Sequence, residues 1–294
     1  MSIQHFHRER AVRPGIPAPR GLYLPEMERD ACGVGMVCHI KGDKSHEIVA
    51  DALQILNRLS HRGAAGCDES SGDGAGILIQ MPDAFLREVV DGFRLPEPGD
   101  YGAGLVFLPP DEAQRRWCMQ QFEASVREAE QILLGWRKVP VQSGVLGDLA
   151  RAAEPAVHQV FVKKNPKVRS AAGFEEKLFL IRKAAERRIW ESDLPEKRSF
   201  HLPSLSCRTL VYKGMFLAHQ LGPYYPELSS PALGSAIAVV HQRYSTNTFP
   251  AWHLAQPFRY LCHNGEINTL KGNLNWMEAR QRQFRTERFG GDPS

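Results

Sequence analysis

Apolar and polar positions alternate along residues 32–40, opened by Gly33 and Gly35, which predicts a strand. Beyond it Ile48, Val49, Ala52, Leu53, Ile55, Leu56 and Leu59 recur at helical spacing. A helix is therefore expected from a cap at Ser45 to about Leu59, stopped by Arg62-Gly63 with the glycine in the left-handed conformation. Residues 74–80 read as a strand, 83–90 as a short helix capped by Asp83, and 101–108 as a strand. Cys118, Phe122, Val126, Ala129 and Leu133 share one face of a helix expected over 111–133. Further strands are expected near 139–142, 157–163, 209–213 and 235–241. Phe174, Leu178, Ile181, Ala185 and Ile189 form the apolar face of another helix, and a last helix is expected over 267–284. Many strands with few βαβ units point to a layered α+β fold rather than a doubly wound parallel sheet.

Residues 1–31 do not share this periodicity. Prolines 14, 17, 19 and 25 interrupt any regular element, and no apolar stretch has the length of a secretory signal. The segment reads as a frayed tail or a propeptide. The remainder is ordinary globular material, 43% hydrophobic and 24% charged over a chain of 294 residues. Its apolar runs, such as 77–79 and 236–240, are far shorter than a membrane span, so no membrane partner is expected. The net charge of +4 is spread along the chain. The basic runs 163–169 and 182–188 read as a loop and a solvated helix face, so no nucleic-acid partner is expected. Six cysteines without a CxxC pair argue against a disulfide framework and for a reducing compartment.

Few segments carry candidate chemistry. The glycine-rich stretch 63–76 lacks the lysine of a phosphate loop and reads as a tight turn feeding a strand. The Cys/His neighbours lack zinc-ligand spacing, so no metal held by this chain is expected. A cysteine nucleophile needs a base and an oxyanion hole. HQRYSTNT (241–248) and HNGEIN (263–268) could supply them, each read as a loop opening from an apolar strand. Asn264 carries a side-chain N–H donor, Gly265 allows close backbone approach, and Arg243 has a fork that grips a carboxylate.

The combination becomes specific through ERDACGVG (28–35), HRG with SGDGAGI (61–77), SLSCRTLVYKG (204–214), HQRYSTNTFPAW (241–252) and AQPFR with HNGEINTLKGNLNWMEAR (255–280). In that order these blocks resemble the amino-terminal, class II glutamine amidotransferase domain of glutamate synthase large chains, from about residue 26 onward. The resemblance implies an N-terminal-nucleophile (Ntn) hydrolase fold, a four-layer α/β/β/α sandwich, cut short at its C-terminal end here. It implies a leader, 1–31, whose removal makes Cys32 the first residue of an amidotransferase domain, 32–294. A peptide nitrogen cannot act as a base, whereas a free α-amine has a pKa of about 7.7–8.0, suited to proton transfer near neutrality. Cys32 would attack glutamine and form a glutamyl thioester, with Asn264 and Gly265 holding the oxyanion. Arg243 would bind the α-carboxylate, Thr246 and Asn247 would line the pocket and Tyr244 would shape its wall. Cys38, Cys67 and Cys262 are expected to be core thiols. The aspartate for the substrate α-amine has no counterpart here. The resemblance places FMN and an iron–sulfur cluster in the rest of the parent chain and no cofactor in this fragment. It implies glutamine, the remaining synthase chain and an electron-donor subunit or ferredoxin as partners, in the cytoplasm, with a plastid as the alternative. Another class II amidotransferase, phosphoribosyl- or hexosamine-forming, shares the Cys32 and HNG features. A non-catalytic fragment is the remaining alternative.

Overall fold

The computed structural model describes residues 33–66, 68–245, 248–263, 269–281 and 283–284, which fall within the compact unit 33–294. The strands are β1 (Val34–Cys38), β2 (Ala75–Gln80), β3 (Tyr101–Leu108), β4 (Ile132–Lys138), β5 (Ala156–Lys163), β6 (Thr209–Gly214) and β7 (Ile237–Gln242). The helices are α1 (His46–Arg58), α2 (Asp83–Val89), α3 (Glu112–Glu128), α4 (Asp148–Ala152), α5 (Ala171–Trp190), α6 (Leu221–Tyr224) and α7 (Leu270–Gln281).

Two antiparallel sheets result, one in the order β1-β7-β2-β6 and one in the order β3-β5-β4. This is the mixed, non-parallel architecture expected. Alternation of side chains along β3 divides the core in two. Tyr101, Ala103, Leu105 and Phe107 join Ile77, Ile79, Leu210, Tyr212, Val240 and the buried face of α1 in one cluster. Val106 and Leu108 join α3 and α5 in the other, where Phe174, Leu178, Ile181, Ala185 and Ile189 are all buried. Bridges Ala103↔Ser206 and Phe107↔His201 attach residues 201–206 to β3 just before the chain enters β6.

Asp111 and Ser170 cap α3 and α5 by accepting from Gln114 N–H and Gly173 N–H, at 2.9 and 3.0 Å. Four local expectations are corrected. Gly63 is extended (φ −99°) rather than left-handed; a Cβ there would run into the Gln242 side chain, which explains the glycine. Asp83 does not cap α2, whose N-cap is Pro82; its carboxylate accepts from Tyr101 Oη–H and Arg87 Nε–H instead, both at 2.8 Å. The 111–133 helix stops at Glu128. Glu130 takes φ +57° and Asn165 donates to its carbonyl, so the chain reverses and Leu133 enters β4. The strand expected at 139–142 is displaced to 132–138, because Pro140 cannot donate to a ladder.

Candidate active site

The site is built on one end of the four-stranded sheet. Lys213 of β6, Gly76 of β2, His241 of β7 and Val34 of β1 lie in register across it. Directly paired residues share a face, so the Lys213 and His241 side chains flank the bare backbone of Gly76. Residues 252–263 run over this gap as a strap. A Cβ on Gly76 would stand 2.5 Å from the Gln256 carbonyl oxygen, and one on Gly74, at φ +141°, would stand 2.9 Å from Ala255 Cβ. Glycine is required at both positions by this approach.

The strap is held by polar contacts. Lys213 Nζ donates to the carbonyls of His253 (3.0 Å) and Ala255 (2.8 Å) and lies 4.4 Å from the Phe258 ring centroid. Burial drives its amine well below the ordinary lysine value. Arg259 forms a buried ion pair with Glu175 of α5, which also accepts from Ser206 Oγ–H and Cys207 N–H. At the far end the backbone of His263 is gripped through both its N–H and its C=O. Its carbonyl accepts from Gln256 Nε2 (3.0 Å) and from His241 Nε2 (2.7 Å), while its N–H donates to Gln256 Oε1 (3.0 Å). Since a carbonyl can only accept, His241 carries its proton on Nε2. Burial depresses the pKa of this ring to about 4, so it is neutral at physiological pH.

The next row brings in the start of the first strand. Gln242 N–H donates to the Gly33 carbonyl at 2.7 Å, and Arg243 N–H donates to Gly74 O at 2.8 Å. Arg243 then leaves the sheet. Its Nη1 donates to the Asp73 carbonyl (3.2 Å), and its Nη2 to Ser245 Oγ (3.1 Å) and Thr248 Oγ1 (2.8 Å). The buried Asp73 carboxylate accepts from Ser245 N–H at 2.5 Å. Burial raises the Asp73 pKa, opposed by that N–H and by the Arg243 charge. Burial lowers the Arg243 pKa, opposed by Asp73. Tyr244 stands 60% exposed. A cavity of about 490 Å³ lies along residues 249–253, lined by Phe107, His201, Met215, Phe249, Trp252 and His253; neither Arg243 nor Tyr244 borders it.

Of the candidate residues, Arg243 and Tyr244 are described; Cys32, Thr246, Asn247, Asn264 and Gly265 lie outside the described residues. What the structure brings together is their chain neighbours, Gly33, Ser245, Thr248 and His263, around the end of β7. Two expectations here are corrected. His263 does not follow a strand; Phe258 N–H donates to Leu261 O in a turn, and Gln256 supplies the ladder-like bonds. Cys38 is exposed at the end of the edge strand β1, not a core thiol; Cys262 is half-buried, and Cys67 lies outside the described residues. Sequence reasoning missed Gln256, Lys213 and Asp73. A lone charge in the apolar strand 209–214 was the available signal for Lys213. Among the described residues no cluster of His, Cys, Asp or Glu could hold a metal ion, and no helix is long and apolar enough to cross a membrane.

Known proteins match this chain over nearly its whole length. It is 47% identical over 277 residues to the NADPH glutamate synthase large chain of Bacillus subtilis, covering 94% of this chain and 18% of that one. It is 40% identical over 296 residues to the NADH glutamate synthase of Saccharomyces cerevisiae, covering 95% and 14%. It is 42% identical over 259 residues to ferredoxin-dependent glutamate synthase 2 of Synechocystis, covering 87% and 16%. The chain thus spans less than a fifth of each of these relatives. Residues 32–294 match the family model of class-II glutamine amidotransferases. With two antiparallel sheets, and with the neighbours of its candidate cysteine, arginine and asparagine gathered at one sheet end, the chain belongs to the class-II glutamine amidotransferases.

Proposed function

We propose that residues 32–294 are the glutaminase part of a glutamate synthase, with the Ntn sandwich as their fold and residues 1–31 as a leader removed before activity. One observation carries the reading. Gln242 holds the residue after Cys32, its neighbour Arg243 projects from the same strand end, and His241 holds the residue before Asn264. Three consecutive positions, the last two of β7 and the residue after it, would thereby serve oxyanion, nucleophile and substrate carboxylate.

In this reading the free α-amine of Cys32, or a water beside it, takes the thiol proton. The thiolate attacks the side-chain carbonyl of glutamine. Negative charge develops on the carbonyl oxygen and is met by Asn264 and the Gly265 N–H. The tetrahedral intermediate collapses as the α-ammonium returns its proton to the leaving nitrogen, and ammonia departs. Water, deprotonated by the same amine, then cleaves the glutamyl thioester to glutamate and restores the thiol. Arg243 pairs with the substrate α-carboxylate while Asp73, Ser245 and Thr248 fix its fork. Thr246 and Asn247 line the pocket and Tyr244 shapes its outer wall.

The whole enzyme would pass this ammonia to a 2-oxoglutarate site in the rest of the chain, where FMN and an iron–sulfur cluster serve the reductive step. Electrons would come from an electron-donor subunit or from ferredoxin; the names of the relatives specify NADPH, NADH or ferredoxin for those enzymes. The cysteine pattern fits a reducing compartment, and residues 1–31 only weakly resemble a transit peptide, which supports the cytoplasm over a plastid. The test is Cys32→Ala in the full-length enzyme. Glutamine-dependent synthesis should vanish while ammonia-dependent synthesis persists, and the intact mass of the unsubstituted protein should lack residues 1–31. Retained glutaminase activity in Cys32→Ala refutes the assignment.

A further inference from the structure

Gln256 was not singled out by its sequence, yet its buried amide makes two bonds to the backbone of one residue, His263. The carbonyl of that residue takes a third bond from His241. Donor and acceptor of one backbone residue are thus both tied down, immediately before Asn264. Such saturation of an irregular segment needs a reason, because loops ordinarily leave these groups to water. The base of the clamp is itself fixed. Gln256 is flanked by Ala255, whose carbonyl Lys213 holds, and its own carbonyl rests on Gly76. His241 and Lys213 emerge from strands on either side of Gly76, so the clamp is referred to the rigid sheet rather than to the loop.

We infer that Gln256, acting with His241, is a positioning residue that sets the Asn264–Gly265 oxyanion donors by clamping the His263 peptide to the sheet; the inference rests on the functional reading above. Oxyanion donors act on charge that exists only in the transition state. Their displacement therefore lowers kcat and leaves the binding of glutamine, which Arg243 governs, nearly untouched. Losing one such donor costs about 100- to 1,000-fold in kcat, and a displacement of about 1 Å costs on the order of 100-fold.

The experiment measures glutamine hydrolysis by the enzyme carrying Gln256→Leu or Gln256→Glu. Each rate is normalised to the fraction of Cys32 titrated by the glutamine analogue 6-diazo-5-oxo-L-norleucine. Gln256→Leu should lower kcat roughly 30- to 100-fold with KM within about threefold. Gln256→Glu places a carboxylate against the His263 carbonyl at high pH but an O–H donor once protonated. Its activity relative to the parent should therefore rise as the pH falls from 8 to 6, which a merely space-filling role would not produce. If Gln256→Leu fails to melt cooperatively, the Gln256→Glu profile decides. An unchanged kcat, a rise in KM alone, or a flat relative pH profile overturns the inference while a labelled, active parent keeps the functional reading intact. A parent that neither labels at Cys32 nor hydrolyses glutamine overturns both.

Discussion

The two sheets are tied by a buried ion pair whose removal can be worked through. Arg137 of β4 donates from Nη1 and Nη2 to the two carboxylate oxygens of Glu227, at 2.6 and 3.0 Å, and from Nε to Gln159 Oε1 of β5 at 2.7 Å. Tyr212 of β6 donates its hydroxyl to the same carboxylate at 3.1 Å. The side chains of Arg137 and Glu227 are 10% and 6% exposed, so water cannot replace a lost partner. Burial, then the Glu227 charge, holds the Tyr212 phenol far above its ordinary pKa, so it remains a donor. Glu227→Gln keeps the shape but removes the charge and turns an N–H₂ toward the guanidinium. Breaking one side of a buried pair costs about 3–5 kcal/mol. At about 2–4 °C per kcal/mol, the calorimetric midpoint should fall by about 6–20 °C. Replacing both partners, Arg137→Met with Glu227→Leu, should bring stability back to within about 2 kcal/mol of the parent, since no orphaned charge remains. A Glu227→Gln midpoint within about 2 °C of the parent would refute the reasoning, as would a double variant worse than the single one.

Acid should weaken the fold through its buried histidines. Burial pushes His241 and His158 to about 4, lowers His253, and holds His201, which makes no hydrogen bond through either ring nitrogen, well below 6.5. The unfolded chain takes up protons these rings refuse, so their contribution is present above about pH 6.5 and lost as the pH falls toward 4. Each adds a slope of up to about 1.4 kcal/mol per pH unit, read as a falling urea midpoint between pH 7 and 5. His201→Phe, which keeps the ring packed against Phe107 and has no ring nitrogen, should flatten that slope by about a quarter, since four histidines contribute to it. Gly76→Ala should cost about 1–3 kcal/mol in urea unfolding, because its methyl meets the Gln256 and Tyr212 carbonyls. Arg243→Ala should raise the KM for glutamine at least about tenfold with kcat little changed, measured by initial-rate kinetics. A lost kcat at unchanged KM would move Arg243 from binding to catalysis.

Periodicity made most of the fold legible. Tyr101–Leu108 and the α5 face were readable because each repeats one pattern over many residues. The failures fall where a single residue outweighs a pattern. Glu130 at φ +57° ends a helix whose apolar spacing runs on through Leu133, and the bond from Asn165 that stabilises the reversal comes from 35 residues away. Asp83 has the chemistry of a cap, but Tyr101 and Arg87 compete for its carboxylate. Gly63 looked like a helix stop and is instead a place where the Gln242 side chain passes.

The site was legible to a different degree. Arg243 and the HNG segment stand out only in combination with the blocks around them, since an arginine alone is ordinarily exposed and an Asn-Gly alone is ordinarily a turn. Lys213, Gly76, His241 and Gln256 do not stand out, because their meaning lies in register. A lysine in an apolar strand, a glycine in a turn-rich stretch and a glutamine before proline are each unremarked singly. Only pairing Lys213 with Gly76 and Gly76 with His241 puts two long polar side chains astride a gap that a backbone can cross. The gap explains why the strap carries its own polar anchors. Trp252 packs into the core and Ala255 is buried, but beneath Gln256 lies only the backbone of Gly76, so hydrogen bonds to Lys213, His241 and within the strap add to packing in locating it. Beyond Ala255 position is thereby set by directional bonds as well as by packing. On the proposed assignment of Asn264 as an oxyanion donor, that suits the segment leading into it, where an error of about 1 Å costs on the order of 100-fold in rate.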